Sequence, residues 1–290
     1  MKLLAVLPQG LEEEGAKELA SLGAQSIDIL RRAILFDGDM ACLYRLYLQA
    51  RLPFRILREI QKFHCNSPED LYKGVQQVFD CERWLHPSFS FRVDVTGRSA
   101  GLPHSHYSAL QVKNALVDLQ RNIWGQRSQI NLKSPDVSLH LHLNSSEAVL
   151  SLDGAGESLH RRGYRPAMGQ APIKENLASG LIKLTNWNGS DPLVDLFCGS
   201  GTFLIEAVSL ALKIPPGLGR SFILDRWSDF DPNLWKLEEK ISRTQVLSNE
   251  KLSSIIGCDN DYSITSQAIS NISLKGLENV IKIRTLHFQD

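Results

Sequence analysis

Residues 190–207 read S-D-P-L-V-D-L-F-C-G-S-G-T-F-L-I-E-A, and no other stretch restricts the fold as much. A short apolar run ends in an acid, breaks into a turn with two glycines and resumes with helical spacing. Val194 and Leu196 fall in a strand over 193–197, and Thr202 opens a helix over 202–213. A strand, glycine turn and helix in that order pack as one unit of a parallel, doubly wound sheet. Glycine lets the backbone turn sharply and approach a ligand, and the helix start beyond it offers free N–H groups. The rest of the C-terminal half keeps the alternation, with helix 171–185, strand 254–258, helix 261–275 and strand 280–285. Residues 214–250, with Pro215-Pro216-Gly217, Trp227 and Trp235, interrupt it. They read as an insertion whose tryptophans pack rather than stack on bases.

Three ligands compete for the glycine turn. A triphosphate needs G-x-x-x-x-G-K-[ST], and no Gly-Lys-Ser/Thr occurs. A dinucleotide prefers G-x-G-x-x-G, but Leu204 stands at the third glycine position. Asp195 at the strand end would repel pyrophosphate. It suits a ligand with a positive group, such as the ammonium and sulfonium of S-adenosylmethionine. Asp259 ends the next strand, Ile255-Ile256-Gly257-Cys258-Asp259, where a carboxylate can accept hydrogen bonds from both ribose hydroxyls. A tight strand–helix turn with incidental acids is the plain alternative. Cys198 inside the turn reads as a small filling residue rather than a nucleophile.

The N-terminal half mixes its elements differently. Strands are expected over 3–7, 27–30, 33–36, 54–60 and 89–95, and helices over 11–22, 40–49, 68–84 and 107–123. Ser67-Pro68-Glu69-Asp70 has the N-cap serine, first-turn proline and acids of a helix start. Strands 137–143 and 148–152 form a hairpin across Asn144-Ser145-Ser146-Glu147. A hinge is expected at Asp153–Glu157. The chain is thus α+β up to about residue 154 and α/β over 155–290.

Charge offers little guidance, because 32 basic and 32 acidic residues cancel in the 290-residue chain. Locally, Arg31 to Lys62 carries seven Arg/Lys against three acids, a face for solvent or for nucleic acid. The five cysteines form no C-x-x-C pair, which argues against zinc or a disulfide framework and for a reducing, cytoplasmic setting. No apolar run approaches the roughly eighteen residues of a membrane span.

V-D-L-F-C-G-S-G-T resembles the first motif of class I S-adenosylmethionine-dependent methyltransferases. L-H-R-R-G-Y-R (159–165) and A-P-I-K-E-N-L-A (171–178) narrow the resemblance. They are similar to the run-in of bacterial 23S ribosomal RNA guanine-N2 methyltransferases with an N-terminal THUMP domain. Residues 93–115, V-D-V-T-G-R-S-A-G-L-P-H-S-H-Y-S-A-L-Q-V-K-N-A, resemble the THUMP segment of the same group. The implied architecture is a ferredoxin-like and THUMP module over 1–154, with THUMP from about 43, followed by an incomplete Rossmann-like methyltransferase domain.

The resemblance also implies roles. Asp195, Phe197, Cys198, Gly199, Gly201 and Thr202 would frame S-adenosylmethionine, and Asp259 would hold its ribose. Asp290 or His287 would meet the adenine. Lys174, Glu175 and Asn176 would wall the cofactor site, or simply form a first helical turn. Arg98, His104 and Lys113, with His106 nearby, would meet ribosomal RNA, as would Arg161, Arg162 and Arg165. No metal is implied.

One family feature is missing. Enzymes that methylate exocyclic amines carry [NDS]-P-P-[YFW] after the fourth strand, and this sequence has none. With three sheet strands after residue 190, the chain reads as the front part of a longer protein, inactive alone, and no catalytic residue is assigned. A non-catalytic RNA-binding protein with a degenerate methyltransferase half is the main rival. A DNA adenine methylase is a weaker one, since it leaves residues 93–115 unexplained.

Overall fold

A computed structural model describes residues 1–165 and 172–287. The first stretch of chain holds β1 (Lys2–Val6), α1 (Glu12–Ser21), β2 (Gln25–Leu30), β3 (Ala33–Asp37) and α2 (Met40–Gln49). Next come β4 (Arg55–His64), α3 (Pro68–Val78), α4 (Cys81–Trp84), β5 (Phe91–Arg98), α5 (Ser105–Trp124), β6 (Val137–Asn144) and β7 (Glu147–Asp153). The last part holds α6 (Glu175–Leu184), β8 (Leu193–Asp195), α7 (Thr202–Ala211), a 3₁₀ turn (Ile223–Arg226), α8 (Pro232–Thr244), β9 (Ile255–Asp259), α9 (Tyr262–Leu274) and β10 (Ile281–Thr285). Two compact units emerge. One gathers Met1–Ala5, Arg55–Gly156 and Ser221–Pro232; the other gathers Val6–Phe54, Glu157–Arg220 and Asn233–Asp290.

In the first unit the strands run β1-β4-β7-β6-β5, with β5 parallel to β6 and β7 antiparallel to both β4 and β6. Helices α3 and α5 cover the apolar face, where Leu71, Val75, Val112, Leu116, Leu139, Leu141 and Leu150 are buried. The hairpin turn sits where the Asn-Ser-Ser-Glu signal placed it, with Ser145 left-handed at φ 53°. Ser67 caps α3 by accepting from the Asp70 amide at 3.1 Å. The single helix expected over 68–84 is instead two. Phe79 is extended and Asp80 caps a new turn through the Arg83 amide (3.0 Å), which redirects the chain so that Cys81 and Trp84 are buried.

The expected hinge is held firmly on its first-unit side. Asp153 is buried, binds Arg55 at 2.6 Å and accepts from the Ala155 amide at 3.0 Å. The insertion divides between the units. In the first, Trp227 packs edge-on to Trp84 (6.5 Å), and the Arg58 guanidinium lies near both rings while gripping Asp229 at 3.0 and 2.7 Å. In the second, Trp235 packs on Tyr44 at 5.3 Å. Both tryptophans therefore pack, as expected.

The second unit carries the parallel sheet, in the order β10-β9-β8. Leu204, Ile205 and Val208 of α7, Ile255 of β9, Ile272 of α9 and Ile281 of β10 form its core. Most of the basic stretch 31–62 is not an open patch, although Arg31, Arg32 and Lys62 are exposed. Arg45 pairs with Glu238, Arg55 with Asp94 and Asp153, Arg58 with Asp229, and Arg51 is buried. Opposite charges placed far along the chain take up Arg45, Arg55 and Arg58.

Candidate cofactor site

The glycine turn lies at the carboxyl ends of β8 and β9, which is where α/β sheets place ligands. Gly199 (φ 52°) and Gly201 (φ 81°) are both left-handed, a conformation that side chains resist. Space is open around Gly199, where nothing lies within 4 Å of an added Cβ. Backbone conformation and access, rather than crowding, call for glycine there.

Several hydrogen bonds fix the turn. The Cys198 amide donates to the Cys258 carbonyl (2.8 Å), and the Gly199 amide donates to Asp259 Oδ2 (3.1 Å). Asn271 of α9, itself buried, donates to the Ser200 carbonyl at 3.0 Å. Arg165 donates to the Thr202 hydroxyl at 2.8 Å and to the Ile173 carbonyl at 3.0 Å, and pairs with Glu175 at 3.3 Å. These bonds tie the turn to β9, α9 and Arg165.

Two acids face this backbone. Asp195 Oδ1 accepts from the Phe197 amide at 3.1 Å, while its Oδ2 is buried with no hydrogen-bond partner among the described residues. Burial lifts the Asp195 carboxyl above its ordinary value, and the neighbouring Asp259 adds to that. Asp259 Oδ1 accepts from the Asp261 amide (3.2 Å), and its carbonyl receives the Leu286 amide (3.0 Å), one residue before His287. Asp290 lies outside the described residues. Phe197 is 71% exposed at the mouth of the turn.

Cys198 is buried, and desolvation with the two acids pushes its thiol up to about 12. A thiol so protonated is no nucleophile at neutral pH. Iodoacetamide should leave Cys198 unmodified in the folded protein and label it after urea unfolding, as peptide mass spectrometry would read.

The arginines of 159–165 require a correction. Arg162 is not on the surface: its side chain is 2% exposed and bonds Glu206 of α7, with further bonds to Ser179 (3.3 Å) and the Arg51 carbonyl (2.6 Å). Arg165 is likewise buried, on Glu175 and Thr202. Neither can reach RNA, because ion pairs within the unit enclose both. Arg161 does stay exposed, near Glu157 at 3.8 Å. Asn176 is spent internally, donating to the Leu52 carbonyl at 3.0 Å, while Glu175 pairs with Arg165 through one oxygen and keeps the other buried without a partner among the described residues.

Sequence reasoning passed over Asn271, Glu206 and Gly257. Gly257 carried a usable signal, being a glycine within a strand. An added Cβ there would run into Leu204, Ile283 and Cys198. In the first unit, Arg98 ends β5 and is exposed, His104 precedes α5, and Lys113 is half-buried along it. Among the described residues no cluster of three or more His, Cys, Asp or Glu could hold a metal, and no helix is long and apolar enough to cross a membrane.

Three family models match in order: the RlmL ferredoxin-like domain over residues 2–57, the THUMP domain over 65–153, and the RMKL-like methyltransferase domain over 162–290. The putative RNA methyltransferase slr0064 of Synechocystis sp. is 38% identical over 288 residues, covering 99% of this chain and 74% of that protein. The ribosomal RNA large subunit methyltransferase K/L of Cellvibrio japonicus is 39% identical over 287 residues, covering 96% of this chain and 38% of its own length. Among solved structures, SMU.472, a putative methyltransferase complexed with SAH, matches at a TM-score of 0.88 and 30% identity, over 100% of this chain and 76% of that one. The chain thus spans about three quarters of two of these proteins and under two fifths of the K/L relative.

Proposed function

Because this chain belongs to the RMKL-like methyltransferases that carry ferredoxin-like and THUMP domains, we propose that it holds S-adenosylmethionine and captures 23S ribosomal RNA for methylation of a guanine N2 amine. The carrying observation is Asp195, whose buried carboxylate oxygen is unpaired beside a second acid and open glycine backbone. A site built this way is short of a cation. S-adenosylmethionine fits it, with an ammonium for Asp195 and ribose hydroxyls for Asp259. Gly199, Gly201 and the Cys198 backbone leave room for its methionine end, Phe197 is exposed at the same turn, Thr202 is tied to Arg165, and His287, next to the Leu286 amide bound to the Asp259 carbonyl, would meet its adenine.

Bound S-adenosylmethionine supplies an electrophilic methyl group on sulfonium sulfur, open to direct displacement. The acids and the glycine backbone would hold that group in position. The THUMP half takes up structured RNA by shape more than by sequence. The setting is the bacterial cytoplasm, where ribosomal RNA is made. Tritiated S-adenosylmethionine, offered with 23S RNA and with DNA to the protein of the complete gene, should label guanine in RNA. Label in DNA alone would overturn the reading.

The pH dependence of cofactor binding follows from Asp195. Its raised folded value stabilises the ligand-free fold fully below the ordinary aspartate value of 3.8, a contribution lost as pH rises through the raised value. Cofactor binding runs the other way, since a cation requires the ionised acid. Calorimetric affinity for S-adenosylmethionine should weaken as pH falls through that window. Affinity constant over the same range would remove Asp195 from the ammonium contact.

A further inference from the structure

Helix α8 reads P-N-L-W-K-L-E-E-K-I-S-R-T, with Leu237 and Ile241 one turn apart on a single stripe. A surface helix normally turns such a stripe toward the core. Here the mounting is reversed. Glu238 and Ser242 are buried, while Leu237 is 52% exposed and Ile241 is 38% exposed. Polar bonds within the second unit hold the helix this way round. Arg45 of α2 grips Glu238 with two bonds, Nε and Nη2 each donating at 3.1 Å. Gln49 of α2 donates to the Ser242 hydroxyl at 2.9 Å, and Trp235 packs on Tyr44. A bidentate guanidinium–carboxylate pair fixes orientation as well as position. The helix cannot roll to hide Leu237 and Ile241 without breaking it.

The stripe also has a charged border. At 3.6 residues per turn, Lys236 and Lys240 run along one side of it, while Glu238 on the other side is turned inward. Both lysines are exposed and take part in no ion pair or hydrogen bond among the described residues. Glu239 does not neutralise them, because Arg243 holds it at 2.7 Å. Val246 and Leu247, just past the helix, are exposed as well. The outer surface of α8 is thus an apolar ridge with an unneutralised basic edge.

We propose that this ridge docks an acidic amphipathic helix of another protein. The partner's apolar side chains pack on Leu237 and Ile241 at the i, i+4 spacing of helix pairs, and its carboxylates meet Lys236 and Lys240. A second copy laid antiparallel on α8 would set one basic edge against the other, which costs binding. Anionic membrane surfaces are met by helices with broad apolar faces bearing Trp, Phe and Leu. The one aromatic residue of α8, Trp235, is instead packed on Tyr44. So small a ridge suits a transient complex.

Fluorescence anisotropy on the protein of the complete gene tests the proposal. The probe is a labelled helical peptide of about twenty residues with Leu at i, i+4 spacing bordered by Glu, and a second peptide carries Lys in place of each Glu. The wild type should bind the acidic peptide, more weakly as salt rises, and the basic one at least about tenfold more weakly. Leu237→Ser combined with Ile241→Ser should lower affinity for the acidic peptide at least about tenfold. Lys236→Glu combined with Lys240→Glu should reverse the preference between the two peptides. The substituted side chains are exposed, so unchanged unfolding midpoints are expected and separate these losses from misfolding. A wild type that binds neither peptide would overturn the proposal, as would a preference that charge reversal leaves unaltered. A wild-type dimer in sedimentation velocity that dissociates in Leu237→Ser would make a second copy the occupant and overturn it. Capture by phosphatidylserine vesicles that is lost in Leu237→Ser, without peptide binding, would overturn it in favour of a lipid surface.

Discussion

Replacing Glu206 by alanine should open α7 more than any other single change in the second unit. Glu206 is 1% exposed and accepts from Arg162, from the Tyr164 hydroxyl (2.8 Å) and from the Ser179 hydroxyl (2.6 Å), with Arg51 at 4.0 Å. It is the anion for two buried guanidinium groups. Burial first, and then Arg162, already lower Arg51 to about 10. Without Glu206 both cations would sit desolvated and unpaired, which costs about 3–5 kcal/mol. The loss would spread, because Arg51 also donates to the Ser209 carbonyl (2.7 Å) and Arg162 to the Arg51 carbonyl. A protein of two units need not unfold in one step, so amide exchange of α7 peptides is the proper readout. Glu206→Gln keeps acceptor geometry but not charge and should fall between. Exchange of α7 unchanged in Glu206→Ala would show that the cluster is not what holds the helix.

That cluster also marks the limit of what the sequence alone could reveal. The glycine turn, the Asn144–Glu147 hairpin and the Ser67 cap were legible because each depends on residues within a few positions of one another. The strand–helix alternation after residue 170 was legible for the same reason. Ion-pair partners are not local. Arg162 meets Glu206, 44 positions away, and Arg45 meets Glu238, 193 away. A run such as L-H-R-R-G-Y-R therefore displays its charges but not its partners, and buried rivets resemble an RNA-binding strip. The same blindness hid Asn271, whose role needs α9 and the glycine turn side by side. The break at Asp80 was local yet ambiguous, since an aspartate suits either a helix face or a cap. Within the site, Asp195 and Asp259 were legible by type and position. The unpaired state of the Asp195 oxygen needed coordinates.

Asp195→Ala should separate function from stability, in the opposite sense to Glu206→Ala. Both residues are acids in the second unit, but one satisfies buried cations and the other satisfies only the Phe197 amide, its second oxygen having no partner among the described residues. Removing a desolvated carboxyl with an unpaired oxygen and an acidic neighbour should leave the ligand-free fold as stable or make it slightly more so. The fold carries that cost for a cation that arrives with the ligand, a trade common at functional sites. Truncating one side of a buried, hydrogen-bonded charge pair costs about 2–5 kcal/mol of binding, so calorimetric affinity for S-adenosylmethionine should fall at least about thirtyfold. Asp195→Asn should keep the acceptor for the Phe197 amide and still lose most of the affinity, because charge is what the ammonium requires. RNA binding measured alongside should hold steady, since Asp195 lies in the second unit and the THUMP match in the first. Unaltered cofactor affinity in both variants would mean that the buried oxygen serves something other than the methionine ammonium. A stability loss comparable to that of Glu206→Ala would mean that it has a structural partner.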